Sequence, residues 1–503
     1  MKLLTLMAAS GLALVLGSCG APAEPDTLPP NLLFISIDTL RADALGADGG
    51  DWGATPFLDQ FASAGIRFGS AWSHTPKTAP SHMSMFTGLP PRVHGIGNQR
   101  SSGNQELSAD ITTLAEALRT EGYRTGAVTS GGNVKGYLGF ERGFEVYKDG
   151  PKNLPKKLGD ATAWIEGVVP AGAPQERPWF FFFHTYAVHD PYLPPAKFRK
   201  RFVEPDYAGE IIGDPIRLKA AMKSDDRAPW ASSHQKAAEN FWARVDMEKP
   251  ADLEHLHRLY MAGVASLDFQ LKKFLVELES KGLLENTIVV LTSDHGEEFG
   301  EHGQTRHSQL WQELLHIPLI VHVPGDGVTD ATGPFAGRVI EAAVRHMDLV
   351  PSLLDLMGLE REPLFQQEFL GTSWAAWLAD PALEEPGRPV YSEHRSKLER
   401  PLDLWSLRQG GGLVIVAEEA AGEGPWAEPR YIDELADPTE RVSTAGDGLP
   451  GRPAMGFALA LPLLDLRAVE LGRFQKAALI FGAGKGVELD EATRAELEGL
   501  GYL

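Results

Sequence analysis

The strongest constraint on the fold is a set of short apolar segments, each with the length and near-continuous apolar character of a strand buried on both faces. The segments comprise residues 32–37, 125–130, 179–183, 288–293 and 318–323. Helical patterns lie between them, at residues 113–121 before Gly122 and at residues 252–280 before Gly282. Strands that alternate with helices are typical of βαβ units. The sequence therefore predicts an α/β fold with a parallel sheet and a site at the carboxyl ends of its strands.

Two of these segments end in side chains that bind metals. Asp38 follows the first segment, and Asp294 and His295 follow the fourth. If the two strands are neighbours, two carboxylates and an imidazole converge at one edge of the sheet. Such a set suits one divalent cation: the histidine favours zinc or manganese, and magnesium or calcium with added waters stays open. The alternative for either aspartate alone is a simple loop cap.

A potential nucleophile stands at the start of another helical pattern. Thr78 precedes Pro80, which is favoured in the first turn of a helix. A hydroxyl at that place lies among unpaired backbone N–H groups, where the helix dipole favours an alkoxide and an incoming anionic oxygen. Threonine also caps helices routinely, so a purely structural role is the alternative.

The first residues have the pattern of an export signal. Lys2 precedes an apolar run over residues 3–16 that is too short to span a bilayer, and Leu-Gly-Ser-Cys follows at residues 16–19. We predict a signal peptide over residues 1–18 and an extended, proline-containing tether over residues 19–30. The cleavage region resembles a bacterial lipobox, which implies lipid on Cys19 and a membrane-anchored location in the bacterial cell envelope, facing the periplasm or the cell surface.

Composition narrows the range of partners. The formal charge is −21, and removal of Lys2 with the signal peptide makes it −22. Such an acidic chain is not expected to bind nucleic acid, so an anionic substrate must be attracted by a local cluster of metal and histidines. Cys19 is the only cysteine, which excludes a disulfide or a thiolate metal site in the folded part.

Two motifs resemble those of a known family. Residues 78–88 are similar to the active-site signature of the sulfatases, in the alkaline phosphatase superfamily, and residues 287–303 are similar to the second sulfatase signature. Further similar stretches are residues 38–43, 189–192, 317–320, 348–355 and 437–440, so the resemblance covers roughly residues 31–445. It implies a large mixed, mostly parallel sheet between helices at residues 31–360. A smaller α+β domain with an antiparallel sheet and a C-terminal helix is implied for residues 361–503.

The resemblance also assigns roles to single residues. The metal ligands would be Asp38, Asp294 and His295, with Thr78 as nucleophile or metal-bound oxygen. The family often has a second aspartate after the first, and here that position is Thr39. Relatives carry a Cys or Ser that matures to formylglycine at the position of Thr78, and usually an Arg at that of His82. No formylglycine is expected here, because the β-carbon of threonine bears a methyl group.

Histidines complete the predicted chemistry. The family places a substrate-oxygen contact at His189 and a Lys or His at His307. An imidazole that titrates near neutral pH binds an oxyanion or protonates a leaving alkoxide, although a lone histidine is more often a satisfied core or surface residue. The predicted catalytic residues are Thr78, His82, His189 and His307. Weaker candidates are Lys77, His184 and His302, and three arginines, Arg41, Arg142 and Arg306, are interpreted as structural.

Residues 197–250 interrupt the alternation of strands and helices. They form either a lid or specificity wall, or a surface decoration. The function that the sequence favours is metal-dependent hydrolysis of sulfate esters at a membrane-anchored site. The alternatives are a phosphodiesterase or phosphoryl-transfer enzyme that uses Thr78 as nucleophile, and a non-catalytic binding lipoprotein on the same scaffold.

Overall fold

The computed structural model describes most of the chain up to residue 433 and two short pieces beyond it. The described residues are 28–97, 104–150, 153–169, 174–223, 233–362, 364–385, 387–396, 402–410, 412–419, 430–433, 440 and 486–487. The predicted signal peptide, Cys19, most of the tether and the predicted C-terminal helix lie outside them. Among the described helices, none combines the length and the apolar character needed to cross a bilayer.

Strands and helices alternate along the described chain. The strands are β1 Asn31–Ile37, β2 Ile66–Phe68, β3 Ala71–Trp72, β4 Asn104–Gln105, β5 Arg124–Val128, β6 Val146–Lys148, β7 Trp179–Thr185, β8 Thr287–Thr292, β9 Glu298–Phe299, β10 Thr305–Arg306, β11 Leu319–His322, β12 Arg338–Ile340, β13 Val344–Arg345, β14 Val390–Ser396, β15 Leu402–Gln409, β16 Gly412–Glu419, β17 Arg430–Asp433 and β18 Gly486–Val487. The α-helices are α1 Pro56–Ala64, α2 Thr78–Thr87, α3 Pro91–His94, α4 Leu114–Thr120, α5 Leu154–Val168, α6 Ala196–Phe202, α7 Pro215–Met222, α8 Ser233–Trp242, α9 Pro250–Ser280, α10 Gln312–Leu315, α11 Leu349–Met357 and α12 Ala375–Ala379. Short 3-10 helices occur at Ala42–Ala44, Gly46–Asp48, Gly132–Val134, Gly136–Leu138, His346–Asp348 and Pro381–Leu383.

The central sheet has eight strands in the order β12-β2-β11-β8-β1-β7-β5-β6. β1 lies near its middle and pairs in parallel with both β7 and β8. The sheet is mixed and mostly parallel, which confirms the predicted fold class. One strand departs from the parallel pattern, since β11 runs antiparallel to β8 and β2. The chain between β8 and β11 contains the short strands β9 and β10 and the four-residue helix α10, with no long crossover helix to carry it back in parallel.

Both faces of the sheet are covered by helices. Leu32 and Phe34 of β1 belong to one apolar core, whereas Leu33, Ile35 and Ile37 belong to the other. Helices α2, α4 and α11 contribute to the first core, and α1, α5 and α9 contribute to the second. This two-sided burial explains why the strand segments are nearly continuous apolar runs in the sequence.

Local signals fix the helix boundaries. α4 begins after Thr113, whose hydroxyl accepts a hydrogen bond from the backbone N–H of Glu116 while the Glu116 side chain accepts one from the Thr113 backbone N–H. This is a capping box. α9 begins at Pro250, two residues before the predicted start, because proline is well suited to the first turn.

A second sheet lies toward the C-terminal end. Strands β14 to β17 form an antiparallel meander, and β16 includes the predicted strand at residues 413–416. β18 pairs with β4, so chain near residue 486 returns to residue 105. The interrupting segment at 197–250 contains α6, α7 and α8 before α9 begins.

Helix α9 supports the loop that follows β1. The hydroxyl of Tyr260 accepts a hydrogen bond from the backbone N–H of Arg41 at 3.0 Å and donates one to the backbone carbonyl of Thr39 at 3.0 Å. Tyr260 is completely buried, so these two backbone groups have no access to water in its place. The Tyr260 side chain therefore fixes the backbone of the residues that directly follow Asp38.

We expect Tyr260→Phe to destabilise the protein by about 1–3 kcal/mol, because it leaves a buried N–H and a buried carbonyl unsatisfied. Chemical denaturation should show a lower transition midpoint, together with a fall in catalytic activity. The matched control is Tyr207→Phe, which removes a hydroxyl that donates to Asp252 at 2.8 Å in a partly buried place. An equal loss of stability in both variants would contradict the role assigned to Tyr260.

Candidate active site

Three predicted metal ligands converge at the carboxyl end of the sheet. β1 and β8 are adjacent and parallel, with Ser36 opposite Thr292, so the residues that follow them meet at the same edge. Ligand atoms of Asp38, Asp294 and His295 all lie within 4.8 Å of one another, and the three side chains are completely buried. The pairing of β1 with β8 therefore brings together residues that lie about 250 positions apart in the sequence.

Several ligand atoms of this cluster have no hydrogen-bond donor among the described residues. Both carboxylate oxygens of Asp38, Oδ2 of Asp294 and Nε2 of His295 are buried and accept no hydrogen bond from the described residues. Nδ1 of His295 lies 2.9 Å from the carbonyl of Gly296, an arrangement in which Nδ1 carries the proton and Nε2 presents its lone pair. Buried acceptors without donors are costly, and a divalent cation would satisfy all of them.

Electrostatics also favour a cation. Burial, reinforced by the neighbouring Asp294 carboxylate, raises the pKa of Asp38 well above its usual value. The pKa of Asp294 is lowered, because His295 and His82 outweigh the opposing effect of burial. Burial lowers the pKa of His295 to about 4, so its imidazole is neutral at neutral pH, which is the form that binds metals.

Thr39 occupies the place of the second family aspartate. Its backbone is left-handed, with φ 58°, and its N–H donates to Oδ1 of Asp294 at 3.2 Å. Its hydroxyl donates to the backbone carbonyl of Asp38 at 2.8 Å. Thr39 thus orients both aspartates without adding a carboxylate.

Thr78 is the first residue of α2, and Lys77 holds the cap position. The Thr78 side chain is completely buried, and its hydroxyl lies close enough to Asp38 to lower the pKa of that carboxyl group, against the larger raising effect of burial. The hydroxyl therefore lies next to the predicted metal ligands and at a helix N-terminus, where backbone N–H groups favour negative charge.

His82 lies one turn along the same helix. Its Nδ1 is 2.8 Å from the carbonyl of Thr78, and its Nε2 is 2.9 Å from the hydroxyl of Ser36. Nδ1 also lies 3.7 Å from Oδ2 of Asp294. Because both ring nitrogens are already engaged, His82 is placed to position Thr78 and Asp294 rather than to exchange protons with a substrate.

His189 is oriented by the residue that follows it. Nδ1 lies 2.8 Å from Oδ1 of Asp190, and Nε2 lies 3.9 Å from Oδ1 of Asp38. Burial alone would lower the pKa of His189, but Asp190 and Asp38 raise it to about 10. His189 is therefore an imidazolium at neutral pH, with Nε2 directed toward the cluster.

His307 pairs with a carboxyl group that sequence reasoning did not select. Nδ1 of His307 lies 3.0 Å from Oε1 of Glu297, and the ring of His307 lies 4.6 Å from that of His295. Burial raises the pKa of Glu297 to about 8, and burial together with Lys77 lowers the pKa of His307 well below its usual value. These directions favour a neutral pair that holds one proton. The sequence signal that could have identified Glu297 is its position three residues after Asp294.

Further buried polar groups lie on the side of the site that β5 and β7 form. Nε2 of His184 lies 3.6 Å from Oδ2 of Asp38. Lys157 of α5 is 3% exposed; it donates to the hydroxyl of Ser130 and, at 3.3 Å, to that of Thr185. Burial lowers the pKa of Lys157 to about 7. A lysine in a helical pattern is usually exposed, so no sequence signal indicated this one.

The remaining weaker candidates have protein partners. Nζ of Lys77 donates to the hydroxyl of Ser308 at 3.3 Å. Nε2 of His302 lies 3.1 Å from Oε2 of Glu313, and its ring stacks on Trp311. The predicted structural arginines behave differently from one another. Arg41 is paired with Asp43 and Glu301, Arg142 is paired with Glu116, and Arg306 lies at the rim of the site.

The interrupting segment contributes one side chain to this region. The indole N–H of Trp242, the last residue of α8, donates to Oδ2 of Asp190. The guanidinium carbon of Arg306 lies 4.4 Å from the centre of the Trp242 ring. At this point the segment at 197–250 contacts Asp190, the residue that orients His189.

Comparison with known proteins agrees with this arrangement. The sequence profile of the Sulfatase family matches residues 30–359. The N-acetylglucosamine-6-O-sulfatase of Bacteroides thetaiotaomicron is 26% identical over 412 residues, covering 69% of this chain and 71% of the relative. A solved structure of a complex with the substrate D-glucosamine-2-N,6-O-disulfate superposes with a TM-score of 0.68 at 19% identity, covering 89% of this chain and 98% of that one.

A second solved structure has the same fold. The phosphonate monoester hydrolase of Agrobacterium radiobacter superposes with a TM-score of 0.62 at 21% identity, covering 87% of this chain and 95% of that one. The profile match spans the central sheet and each residue of the buried cluster. The chain therefore belongs to the sulfatase family, and it is a hydrolase of ester bonds.

Proposed function

We propose that the protein is a metal-dependent hydrolase of sulfate esters in which the hydroxyl of Thr78 is the nucleophile. The observation that carries this proposal is the juxtaposition of Thr78 with Asp38, Asp294 and His295, which together present four buried ligand atoms that accept no hydrogen bond among the described residues. The relatives that act on sulfate esters support the choice of substrate class.

One divalent cation would be held by Asp38, Asp294 and His295, with the Thr78 oxygen beside it. When bound, it supplies positive charge that neutralises the two carboxylates and lowers the pKa of the Thr78 hydroxyl. The set of two carboxylate oxygens and one imidazole nitrogen is compatible with zinc or manganese, and with magnesium or calcium if waters complete the shell.

The first half-reaction transfers the sulfuryl group to the protein. Thr78 Oγ, after losing its proton to solvent, attacks the sulfur, and the bond between sulfur and the leaving oxygen breaks. His189 donates the proton on Nε2 to that oxygen, so that an alcohol leaves. Asp190 holds the Nδ1 side of His189 at 2.8 Å and thereby keeps Nε2 directed at the reacting group.

The second half-reaction releases sulfate. Water attacks the sulfur of the Thr78 adduct, the bond from sulfur to Oγ breaks, and the neutral Nε2 of His189 takes the proton from water. His307 and Glu297 lie beside the metal-ligand cluster and share one proton. They can therefore donate a hydrogen bond to a sulfate oxygen as negative charge develops on it. His82 keeps its bond to the Thr78 carbonyl throughout.

Phosphoryl transfer is the second candidate function, and Thr78 itself favours it. A formylglycine enzyme releases sulfate through its aldehyde hydrate, whereas a threonine adduct must be hydrolysed directly. Phosphoryl transfer through an ordinary hydroxyl meets no such difficulty, and a protein of the same fold is a phosphonate monoester hydrolase. We therefore expect measurable activity toward phosphate esters.

We also propose that Cys19 carries lipid and tethers the enzyme to a membrane of the cell envelope. The proposal rests on the short apolar run and on the residues that precede Cys19. The tether over residues 19–30 would separate the lipid from the first strand.

We expect Asp294→Asn to lose most of its bound metal and its activity, because one charge is removed from the ligand set. Elemental analysis of purified proteins measures the metal, and circular dichroism verifies the fold. The control Asp190→Asn changes a buried carboxylate that is not a ligand, so its metal content should match that of the wild type. Equal metal in the Asp294 variant and the wild type would refute the assignment.

We expect Thr78→Ala to lower turnover by about 10³-fold or more, whereas Thr78→Ser should retain part of it. Paired assays with 4-nitrophenyl sulfate and bis(4-nitrophenyl) phosphate would measure both activities. Intact mass after substrate trapping should show a sulfuryl or phosphoryl adduct on Thr78. Full activity of Thr78→Ala would show that this threonine serves only the helix.

We expect Cys19→Ala to move the protein from the membrane fraction to a soluble or unprocessed form, because the lipid has no other attachment point in the predicted leader. Membrane fractionation and electrophoretic mobility are the measurements. Unchanged fractionation and unchanged mobility would both contradict lipidation at Cys19.

A further inference from the structure

Arg306 has a backbone conformation that arginine rarely adopts. Its φ is 71°, in the left-handed region that favours glycine, and it lies directly before His307. Non-glycine residues in this region are unfavourable and cluster at functional sites. The unfavourable backbone conformation of Arg306 therefore suggests that its side chain has a functional role.

The guanidinium group is held in a fixed orientation. Its carbon lies 4.4 Å from the centre of the Trp242 ring, and its Nε lies 3.6 Å from Oδ2 of Asp190. Trp242 donates its indole N–H to the same Asp190 oxygen. The ring face and the carboxylate thus position the arginine from two sides, and the contact to the ring is of the cation–π kind.

These contacts leave the positive charge of Arg306 only partly neutralised. Asp190 is already paired with His189 at 2.8 Å, so its negative charge is shared. Within the described part of the chain, the guanidinium makes no direct hydrogen bond, and the side chain is 36% exposed. An arginine fork that is pre-oriented and accessible fits a carboxylate or sulfate group through two parallel hydrogen bonds.

Its neighbours define which part of a substrate it would meet. Arg306 contacts Asp190, which orients His189, and His189 is the group that we assign to protonate the leaving oxygen. The arginine is therefore on the leaving-group side of the site. The chain as a whole carries a formal charge of −21, so a cation at this place discriminates between substrates rather than extending a general positive surface.

We propose that Arg306, carried on the face of Trp242, is a specificity-determining residue that binds a second anionic group on the leaving-group portion of the ester. The substrate class is an ester whose alcohol carries a carboxylate or a further sulfate group. The proposal rests on the proposed ester hydrolysis, and it assigns a function to an arginine that the sequence indicated to be structural and to the segment at 197–250.

The test compares two esters that differ in one charge: an aryl sulfate with a ring carboxylate, and its methyl ester. We expect the wild type to prefer the carboxylate by about 10-fold or more in kcat/KM, mostly through KM. Arg306→Gln should remove about 10-fold of that preference. Arg306→Gly should do the same, and it cannot fail through strain because the backbone there favours glycine. Arg306→Lys, which keeps the charge without the fork, should lie between.

The matched control is Arg361→Gln. Arg361 also faces an aromatic ring, that of Phe369 at 6.0 Å, pairs with Asp355 at 2.8 Å and is 41% exposed. Its substitution should leave the preference between the two esters unchanged. A preference that stays unchanged in both the Gln and the Gly variants of Arg306, or that is absent from the wild type, overturns the proposal and leaves Arg306 as a structural clamp on Trp242.

Binding measurements separate this proposal from the proposed reaction. Calorimetry of both esters with Thr78→Ala protein, with and without Arg306→Gln, requires no turnover. If the wild type hydrolyses no ester but binding prefers the carboxylate through Arg306, the reaction is wrong and the anion site is correct. If the wild type hydrolyses both esters equally and binding shows no preference, the reaction is correct and the anion site is wrong.

Discussion

The mutual repulsion of two buried carboxylates, Asp38 and Asp294, is the constraint on which the site depends. The sheet places them together because β1 and β8 are adjacent and parallel. Burying two like charges is unfavourable unless positive charge or hydrogen-bond donors compensate for them. The surroundings supply the N–H groups of Thr39 and His295, and a helix N-terminus at Thr78. A cation would complete this compensation at the ligand atoms that accept no hydrogen bond from the part of the chain that the structure describes.

The loops that carry these residues are braced against each other. The backbone N–H of Leu40 donates to the hydroxyl of Ser293, which in turn donates to the carbonyl of His295. Tyr260 holds the far side of the β1 loop, and His82 links α2 to β1 through Ser36. Four elements distant in sequence, namely the loops after β1 and β8 and the helices α2 and α9, therefore share one hydrogen-bonded frame, and this frame pre-organises the ligands before a metal or substrate binds.

Environment divides the histidines into different roles. His189, beside Asp190, is held as an imidazolium, whereas burial keeps His295 and His307 neutral. A charged acid and a neutral ligand can thus operate within one small volume. The segment at 197–250 adds Trp242 to the partners of Asp190, so this segment is connected to His189 through Asp190.

The sequence by itself determined five of the eight strands of the central sheet, β1, β5, β7, β8 and β11, because a strand buried on both faces needs a continuous apolar run. It also indicated Asp38, Thr78, Asp294 and His295, because polar residues at strand ends and a proline in a first helical turn leave local signals, whereas the role of His189 came from the family resemblance. It did not reveal the antiparallel β11, the partner of His307 in Glu297, or buried Lys157. Those features depend on which strands become neighbours and on how far water is excluded. Only tertiary structure brings Arg306 onto Trp242, since their contact joins segments that no local pattern relates.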